Sequence, residues 1–375
     1  MGIGQGPLEG VDVTAATATR AKACPDPAFW AGKRVFVTGH TGFKGSWLSL
    51  WLTTLGARVH GYALAPEPDL SLFRQLALDN HVDHCVADVR DVETIRQRIG
   101  VTRPEVVFHL AAQPLVRASY RDPLGTFSTN VQGTANLLDA IRAVDSVRVV
   151  VVVTTDKVYR NNEWLWPYRE TDALGGHDPY SASKAASEVV VDCYRQSFLA
   201  AAGVAVSSAR AGNVIGGGDW SEDRLIPDAI RAWTAGQPLV VRNPDSTRPW
   251  QHVLDPLRGY LRIAERTWAA PYEAGAFNLG PAPHEAATVR EVIDLAAPVF
   301  PAATTTWGNE GQGPHEARWL ALETAKARQI LGLAPVWPLG DAVQRTMVWY
   351  RDQAAAAAAR DLCLADVAAF TEASR

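Results

Sequence analysis

The sequence has few cysteines and no long apolar run, and each of these features argues against particular classes of protein. Its four cysteines are widely separated and include no CxxC pair, which favours reduced thiols over a disulfide framework or a zinc site. No apolar run reaches the roughly 18–20 residues that a membrane span needs. The first residues lack the charged and then apolar pattern of a secretory signal. We therefore expect a cytoplasmic protein without a metal.

A strong charge of either sign is also lacking, since the chain has 36 basic and 40 acidic residues and a formal net charge of −4. This balance gives no reason to expect nucleic acid or an anionic membrane as partner. With 47% hydrophobic residues, the 375-residue chain can bury the core of two lobes. Residues 1–28 are rich in Gly, Ala, Thr and Pro without periodicity, and are predicted to be a mobile tail, with order beginning near Phe29.

A strand, a glycine-rich turn and a helix then follow in succession. Residues 33–38 (KRVFVT) are predicted to be a buried strand, GHTGFKG the turn and SWLSLWLTTLG the helix. Glycines at this spacing allow backbone N–H groups and the helix N-terminus to face a pyrophosphate, although a plain tight turn has the same composition. Lys44 either contacts a phosphate or is solvated. The predicted cofactor contacts in this turn are Gly39, Thr41, Gly42, Phe43, Lys44 and Gly45.

The acid that commonly selects NAD at the end of the second strand is missing or displaced. The strand ARVHGYAL is followed by APEPD, so Glu67 and Asp69 come late, and no arginine is present there for a 2′-phosphate. We therefore expect NAD. Asp88 is interpreted as a contact of the adenine amino group or as a helix N-cap, and His109 as a core residue. Further predicted cofactor contacts are Asp88, Val89, Leu110, Ala111, Ala112, Asn130, Thr154, Tyr180 and Lys184.

Residues 149–184 carry the predicted chemistry. Five valines, Val149–Val153, are typical of a parallel strand covered on both faces, and the polar cluster after them lies where open α/β sheets bind ligands. Tyr180 and Lys184 are four residues apart, on one face of a predicted helix. The lysine, together with the positive nicotinamide of NAD⁺, would lower the pKa of the tyrosine. The tyrosine would then accept the proton of a sugar hydroxyl while hydride leaves the same carbon. Thr155 would share that hydroxyl.

Asp156 and Lys157 go beyond what a simple oxidation needs. An acid and a base beside a redox site suit removal of a proton next to a new carbonyl and loss of a hydroxyl, although the two residues would also suit a salt-bridged turn. In the second half of the chain, Arg224, Arg242 and Arg248 fall in loops. They would suit a phosphate-bearing substrate, or would be solvated.

The alternation of strands and helices predicts a Rossmann-type doubly wound parallel sheet for residues 29–212. Residues 213–375 are predicted to form mainly a smaller α/β lobe that binds the substrate, with the chain free to cross back to the first domain. The six alanines at 354–359 are predicted to be helical.

Six motifs together resemble the extended short-chain dehydrogenase/reductase superfamily, namely GHTGFKGSWL, HLAAQPLVRASY, TTDKVY, DPYSASK, ARAGNVIGGGDWSEDRLIPD and RNPDSTRPWQHVLDPL. Within the superfamily they resemble the CDP-glucose 4,6-dehydratases. Asp156 followed by Lys157 is similar to the CDP-sugar enzymes, whereas dTDP-glucose dehydratases carry Asp-Glu. The resemblance covers residues 29–350.

The resemblance implies a lyase that holds NAD and dehydrates CDP-glucose to CDP-4-keto-6-deoxyglucose, a precursor of polysaccharide deoxysugars. Tyr180 would take the 4-hydroxyl proton while hydride passes from C4 to NAD. Lys157 would then take the C5 proton, Asp156 would help water leave C6, and hydride would return to C6. A homodimer or homotetramer, formed through helices beginning near Ser128 and Tyr180, is also implied. The implied catalytic residues are Thr155, Asp156, Lys157, Tyr180 and Lys184; the implied substrate contacts are Gln113, Asn213, Arg224, Leu225, Arg242, Arg248 and Gln251.

Other functions stay open at this point. A nucleotide-sugar epimerase shares the glycine turn and the Tyr/Lys pair but needs no base at C5. A 4,6-dehydratase acting on another nucleotide hexose is equally compatible with the residues themselves, because predicted loops would contact the base. A dinucleotide-binding regulatory protein would often lack Tyr180 or Lys184, and this chain keeps both.

Overall fold

The computed structural model describes residues 24–67, 70–300, 303–308 and 318–375; residues 1–23 of the predicted tail and Asp69 lie outside them. The strands are β1 (Arg34–Thr38), β2 (Arg58–Ala63), β3 (Asp83–Val86), β4 (Val106–His109), β5 (Val149–Val153), β6 (Ala205–Ala211), β7 (Asn213–Ile215), β8 (Leu239–Val241), β9 (Thr247–Arg248), β10 (Trp250–His252), β11 (Ala276–Leu279), β12 (Ala287–Thr288) and β13 (Thr305–Trp307).

The helices fill the connections between these strands. They are α1 (Pro27–Trp30), α2 (Phe43–Thr54), α3 (Leu72–Gln75), α4 (Val92–Thr102), α5 (Val116–Arg121), α6 (Pro123–Phe127), α7 (Gly133–Arg142), α8 (Pro179–Tyr194), α9 (Leu225–Thr234), α10 (Leu254–Ala269), α11 (Val289–Ala296), α12 (Ala325–Leu331), α13 (Leu339–Ala354) and α14 (Ala359–Ala373). Among the residues that the structure describes, no helix is long and apolar enough to cross a membrane.

Seven strands form one parallel sheet in the order β11-β6-β5-β4-β1-β2-β3. The five valines of β5 alternate between its two faces. Val149, Val151 and Val153 pack into the core that contains residues of α2 and α10, while Val150 and Val152 pack into the core formed with α4 and α7. Both faces are therefore covered, and the prediction of a doubly wound parallel sheet is confirmed.

The strand order reverses between β1 and β4, because the chain proceeds outward through β2 and β3 and then returns to the other side of β1. Open α/β sheets bind ligands at the carboxyl ends of strands beside such a reversal. The glycine-rich turn follows β1, on one side of the reversal. Thr155, Asp156 and Lys157 follow β5, which is the neighbour of β4 on the other side. The topology therefore brings both motifs to one edge of the sheet.

The second half of the chain forms short two-stranded sheets, which pair β7 with β10, β8 with β13 and β9 with β12. It also returns to the large sheet, since β11 pairs with β6 and α10 packs on the same core. The division at residues 212 and 213 stays a prediction.

The last residues of the predicted tail are ordered. The backbone N–H of Asp26 and the indole Nε1–H of Trp30 donate to the same Glu265 oxygen, at 2.8 and 2.7 Å. Pro27 opens α1, and Trp30 is fully buried. This buried carboxylate on α10 therefore binds the segment just before Phe29, and the extent of the tail stays a prediction.

The prediction that residues 354–359 form one helix is also wrong. Helix α13 ends at Ala354, Ala356 adopts a left-handed φ of +70°, and α14 begins at Ala359. The reversal lets α14 bury Phe370 against Trp51 and Trp337. The helix preference of a few alanines is small beside the burial of such a side chain.

This break predicts that Ala356→Gly stabilises the protein. Glycine adopts a left-handed φ without the strain that a Cβ introduces, so the free energy of unfolding should rise by ~0.5–1 kcal/mol. Ala358→Gly is the matched control, since Ala358 has a φ of −68° and its replacement should lower stability. Urea unfolding of the two variants measures both effects, and a loss of stability in Ala356→Gly would contradict the left-handed turn.

Candidate active site

The glycine-rich turn packs directly on the end of β4. Gly39 has a φ of +73°, and a Cβ there would lie 2.6 Å from the backbone N of Ala111. A Cβ on Gly45 would lie 2.1 Å from the carbonyl oxygen of Gly39. Helix α2 begins after Gly42 with no side-chain cap and no acidic residue in its first turn, so its N–H groups are available to an anion. The turn fits the pyrophosphate of a dinucleotide.

The side chain of Asp88 accepts hydrogen bonds from the backbone and guanidinium of Arg90, which lower the pKa of the carboxyl. Asp91, not Asp88, caps α4. The N-cap interpretation of Asp88 is therefore wrong, and its contact with adenine stays a prediction. His109 is a core residue, as predicted, since its ring lies between the hydroxyls of Thr38 and Thr134 at 2.7 and 3.1 Å.

Three predicted contact residues hold the protein's own backbone instead. Asn130 lies in a wide helical turn, Ser128–Gln132, that interrupts the predicted regular helix. Its amide bonds the backbone N–H and C=O of Gln113 and the hydroxyl of Ser183, at 2.8–3.1 Å. The side chain of Gln113 bonds the backbone of Leu115 and donates to the hydroxyl of Thr126 on α6. The side chain of Gln251 donates to a backbone carbonyl of β11 at 3.0 Å. The structure places none of these three in the wall of the cavity.

A cavity of about 690 Å³ lies between the carboxyl edge of the sheet and the smaller lobe. Its wall contains the first two residues of α2 and the ends of β5, β6 and β8. The predicted site residues that line it are Phe43, Lys44, Thr154, Thr155, Lys157, Tyr180, Asn213, Arg224, Leu225, Arg242 and Arg248. Within the described ranges, no cluster of His, Cys, Asp or Glu that could hold a metal is found.

Polar side chains follow one another from the predicted base to the predicted acid. Thr155 lies beside Tyr180, whose pKa it lowers, and the Thr155 hydroxyl donates to Asp156 Oδ1 at 2.9 Å. Lys157 Nζ donates to the same oxygen at 3.2 Å and lies 3.5 Å from Asn213 Oδ1. Asp156 is fully buried, and its Oδ2 has no partner among the described residues. The Asp156–Lys157 ion pair is thus present, and its Lys157 member lines the cavity.

The pKa values of Tyr180 and Lys184 move in the directions that burial dictates. Burial raises the pKa of Tyr180 to about 12, against the opposing effect of the neighbouring Thr155 side chain. Burial lowers the pKa of Lys184 to about 8, against the opposing charge of Glu188. In the chain by itself desolvation thus sets the pKa of the tyrosine, and the joint effect of Lys184 and a bound nicotinamide stays a prediction. Lys184 Nζ donates to the carbonyl of Val153 at 3.1 Å.

Cations gather at the inner end of the cavity. Burial, followed by the neighbouring charges of Arg224 and Lys184, lowers the pKa of Lys44 to about 7. Arg224 is held by Asp219 at 2.7 Å. The proximity of three cations to one another indicates a place where an anion would be stabilised.

The sequence interpretation missed a buried ion pair beneath the site. Glu188 accepts hydrogen bonds from Thr154 at 2.5 Å and from Ser208 at 2.7 Å. Arg210 donates to both of its carboxylate oxygens, at 3.0 and 2.9 Å, and also to the hydroxyl of Tyr159. The pair joins the end of β5, helix α8 and strand β6. A signal for it exists in the sequence, because a lone arginine in the apolar stretch GVAVSSARAG requires a buried acid as partner.

Together, the fold and the site define a dinucleotide-binding enzyme with a Tyr/Lys pair and a second acid–base pair at the carboxyl edge of its sheet. The family model described as GDP-mannose 4,6 dehydratase matches residues 36–346, and the chain belongs to this family. The resemblance to extended short-chain dehydrogenases/reductases is confirmed.

A CDP-glucose 4,6-dehydratase of Salmonella typhimurium is 48% identical over 334 residues, which cover 87% of this chain and 92% of that protein. UDP-glucose 4-epimerase of Thermotoga maritima has the same fold, with a TM-score of 0.74 at 22% identity over 85% of this chain and 99% of its own. The structure of MoeE5 in complex with UDP-glucose and NAD gives a TM-score of 0.72 at 25% identity, over 86% of this chain and 100% of that one.

The position of Glu188 predicts that Glu188→Gln shifts the pH dependence of activity. The charge of Glu188 raises the pKa of Lys184, so its removal lets Lys184 lose its proton at lower pH. The alkaline limb of kcat/KM should move to lower pH. Stability should also fall by ~3–5 kcal/mol, because Arg210 loses its buried partner.

Glu265→Gln is the control for the loss of stability alone. Glu265 is similarly buried and paired with Arg262, but it lies on α10, away from the cavity lining. Glu265→Gln should therefore destabilise the protein without moving the alkaline limb of kcat/KM. Equal pH profiles for Glu188→Gln and the wild type would contradict the assigned role.

Proposed function

We propose that the protein is a CDP-glucose 4,6-dehydratase, which converts CDP-glucose to CDP-4-keto-6-deoxyglucose. The observation that carries this proposal is the series of adjacent side chains from Tyr180 through Thr155 to Asp156 and Lys157, in which both Thr155 and Lys157 donate to Asp156. It joins a base for oxidation at C4 to an acid and a base for elimination across C5 and C6. The relative at 48% identity supports CDP-glucose as the substrate.

The proposed cofactor is NAD. The turn at Gly39 and the uncapped start of α2 would hold its pyrophosphate, and Lys184 would lie near its nicotinamide ribose. MoeE5, at 25% identity, was solved with NAD and UDP-glucose. When bound, NAD would accept a hydride from C4 of the sugar and later return one to C6. The remaining steps are proton transfers by the chain's own residues.

The first proton transfer would not require a free phenolate. With a pKa of about 12, Tyr180 keeps its proton at neutral pH. Tyr180 would take the 4-hydroxyl proton while passing its own to Thr155, which in turn passes one to Asp156 across 2.9 Å. Oxidation at C4 would therefore leave Asp156 protonated, as the acid that the next step needs.

The second transfer would remove water. The Lys157 ammonium would release a proton to solvent, which it can reach because its side chain is 31% exposed, and the neutral amine would take the C5 proton, made acidic by the 4-keto group. Asp156 gives its proton to the leaving C6 hydroxyl, so the water carries away the one proton that the relay delivered to Asp156. A proton from the Lys157 ammonium, which exchanges with solvent, then returns to C5, and Lys157 regains a proton from solvent beside the ionised Asp156.

The cationic side of the cavity would bind the nucleotide diphosphate. Arg224 and Arg248 line it, and guanidinium groups match phosphate oxygens in charge and geometry. The product would enter deoxysugar synthesis for polysaccharides. We place this reaction in the cytoplasm, where all four cysteines, which are unpaired thiols, would stay reduced.

We further propose that the protein is a homodimer or homotetramer. Several apolar side chains are exposed on helices α6 and α8 and on the turn after α8, among them Leu124 (83%), Phe127 (38%), Val189 (60%) and Phe198 (40%). Contiguous exposed apolar residues commonly mark interfaces. These helices pack on one another, so a second copy would cover them together.

Lys157→Met tests the elimination step. Loss of a positioned base should lower formation of the dehydrated product by about 10²–10⁴-fold, measured by mass spectrometry as the loss of one water from CDP-glucose. Exchange of the C5 hydrogen with deuterated solvent should be lost as well. Lys33→Met, at the opposite end of β1, is the matched control and should retain activity.

The same variant distinguishes an epimerase. An epimerase needs no base at C5, so Lys157→Met would keep forming a C4 epimer. Such a product, or full dehydration by the variant, would refute the proposed chemistry.

Leu124→Glu should weaken self-association, because it places a charge among the exposed apolar side chains. Light scattering coupled to size exclusion should show a smaller particle than the wild type. Leu64→Glu, at an exposed leucine (62%) that directly follows β2, should leave the mass unchanged. A monomeric wild-type protein would contradict the proposed assembly.

A further inference from the structure

Two arginines from different parts of the fold meet at one carboxylate oxygen in the wall of the cavity. Arg117 belongs to α5, which follows β4 of the large sheet, and Arg242 follows β8 of the smaller lobe. Their terminal nitrogens lie 3.4 and 3.8 Å from Asp223 Oδ1. All three residues line the cavity and are partly exposed. Asp223 therefore bridges the two halves of the cavity wall.

The bridge has an excess of positive charge. Among the described residues, Asp223 is the ion-pair partner of both Arg117 and Arg242, so two guanidinium groups share one carboxylate. Partly exposed pairs at these distances are weak. The two arginines can thus exchange Asp223 for a ligand that carries more negative charge and more oxygens.

The local backbone separates Asp223 from its neighbour Arg224. Asp223 has a left-handed φ of +57°, a conformation that Asp and Asn adopt more readily than most residues. Arg224, the next residue, bonds Asp219 and lies close enough to influence Tyr180. The left-handed backbone at Asp223 thus directs its side chain to the bridge, while the side chain of Arg224 lies at the end of the cavity near Tyr180.

We propose that Asp223 is a built-in competitor for the substrate's diphosphate, and that Arg117 is a diphosphate-binding residue. In the free protein Asp223 holds Arg117 and Arg242 in place across the cavity. The diphosphate of the incoming nucleotide sugar replaces its carboxylate, and the two arginines then bind phosphate oxygens from both sides. The inference rests on the proposed function only for the ligand class, a nucleoside diphosphate sugar.

Asp223→Asn tests the proposal, because it removes the competing charge and keeps a residue that tolerates the left-handed backbone. CDP is the probe, and isothermal titration calorimetry measures its Kd. The variant should bind CDP about three- to tenfold more tightly, a gain that shrinks as salt is added. Glu222→Gln is the matched control, since it makes the same charge change at the adjacent exposed position and should have little effect.

Arg117→Gln provides the second arm. It should weaken binding of CDP about tenfold. In the Arg117→Gln background, Asp223→Asn should give a smaller gain than in the wild type, because residues that share partners are not additive. Thermal midpoints of all variants check that each one is folded.

Three results would overturn the inference. They are weaker CDP binding by Asp223→Asn, a gain no larger than that of Glu222→Gln, and full additivity of the two variants. Titrations with UDP, dTDP and GDP separate this inference from the proposed function. If the wild type prefers one of these over CDP, the assigned base is wrong, yet Asp223→Asn should still tighten binding of that diphosphate.

Discussion

The carboxylate of Glu188 is the contact on which the geometry of the site depends. It receives hydrogen bonds from the end of β5 and from β6 while it pairs with Arg210. It also lies one helical turn after Lys184 and two turns after Tyr180, so all three share one face of α8. A buried charge that is fully paired resists displacement, because breaking the pair would leave each charge without a partner in a low dielectric. The strand that carries the acid–base pair is thereby fixed relative to the helix that carries the tyrosine.

That rigidity matters because the proposed proton transfers run across separate elements. Tyr180 is on α8, while Thr155, Asp156 and Lys157 follow β5. A proton passes only between groups at hydrogen-bond distance, and a shift of the helix would lengthen the contact between Tyr180 and Thr155. The high pKa of the tyrosine then becomes compatible with its role, since its proton moves on to Asp156 as the new one arrives.

The fold was largely predictable because its signals are local. Five consecutive valines indicate a strand covered on both faces, and glycines after the first strand indicate a turn that leads into a helix; the structure has both features. The alanine run misled because its helix preference is small beside the packing of Phe370, which sequence spacing does not reveal. The contact that binds α1 could not be predicted for the same reason, since Glu265 is more than 200 residues away from Asp26.

The sequence predicted which residues lie around the cavity better than it predicted which way their side chains point. Tyr180, Lys157 and Arg224 line it, whereas the amides of Gln113 and Gln251 bond the backbone. A motif gives the position of such a side chain along the chain but not the group that it faces. Arg117 and Asp223 were passed over because their partner lies on another part of the fold.

The central claim is that one active site moves hydrogen from C4 to C6 of CDP-glucose as water leaves. The most direct measurement is NMR of the product formed from CDP-glucose deuterated at C4, with UDP-, dTDP- and GDP-glucose assayed in parallel. The account predicts a 4-keto product with deuterium at C6 and a kcat/KM at least about tenfold higher for CDP-glucose than for the others. Deuterium retained at C4 of an epimer, or dehydration of dTDP-glucose in preference to CDP-glucose, would contradict it.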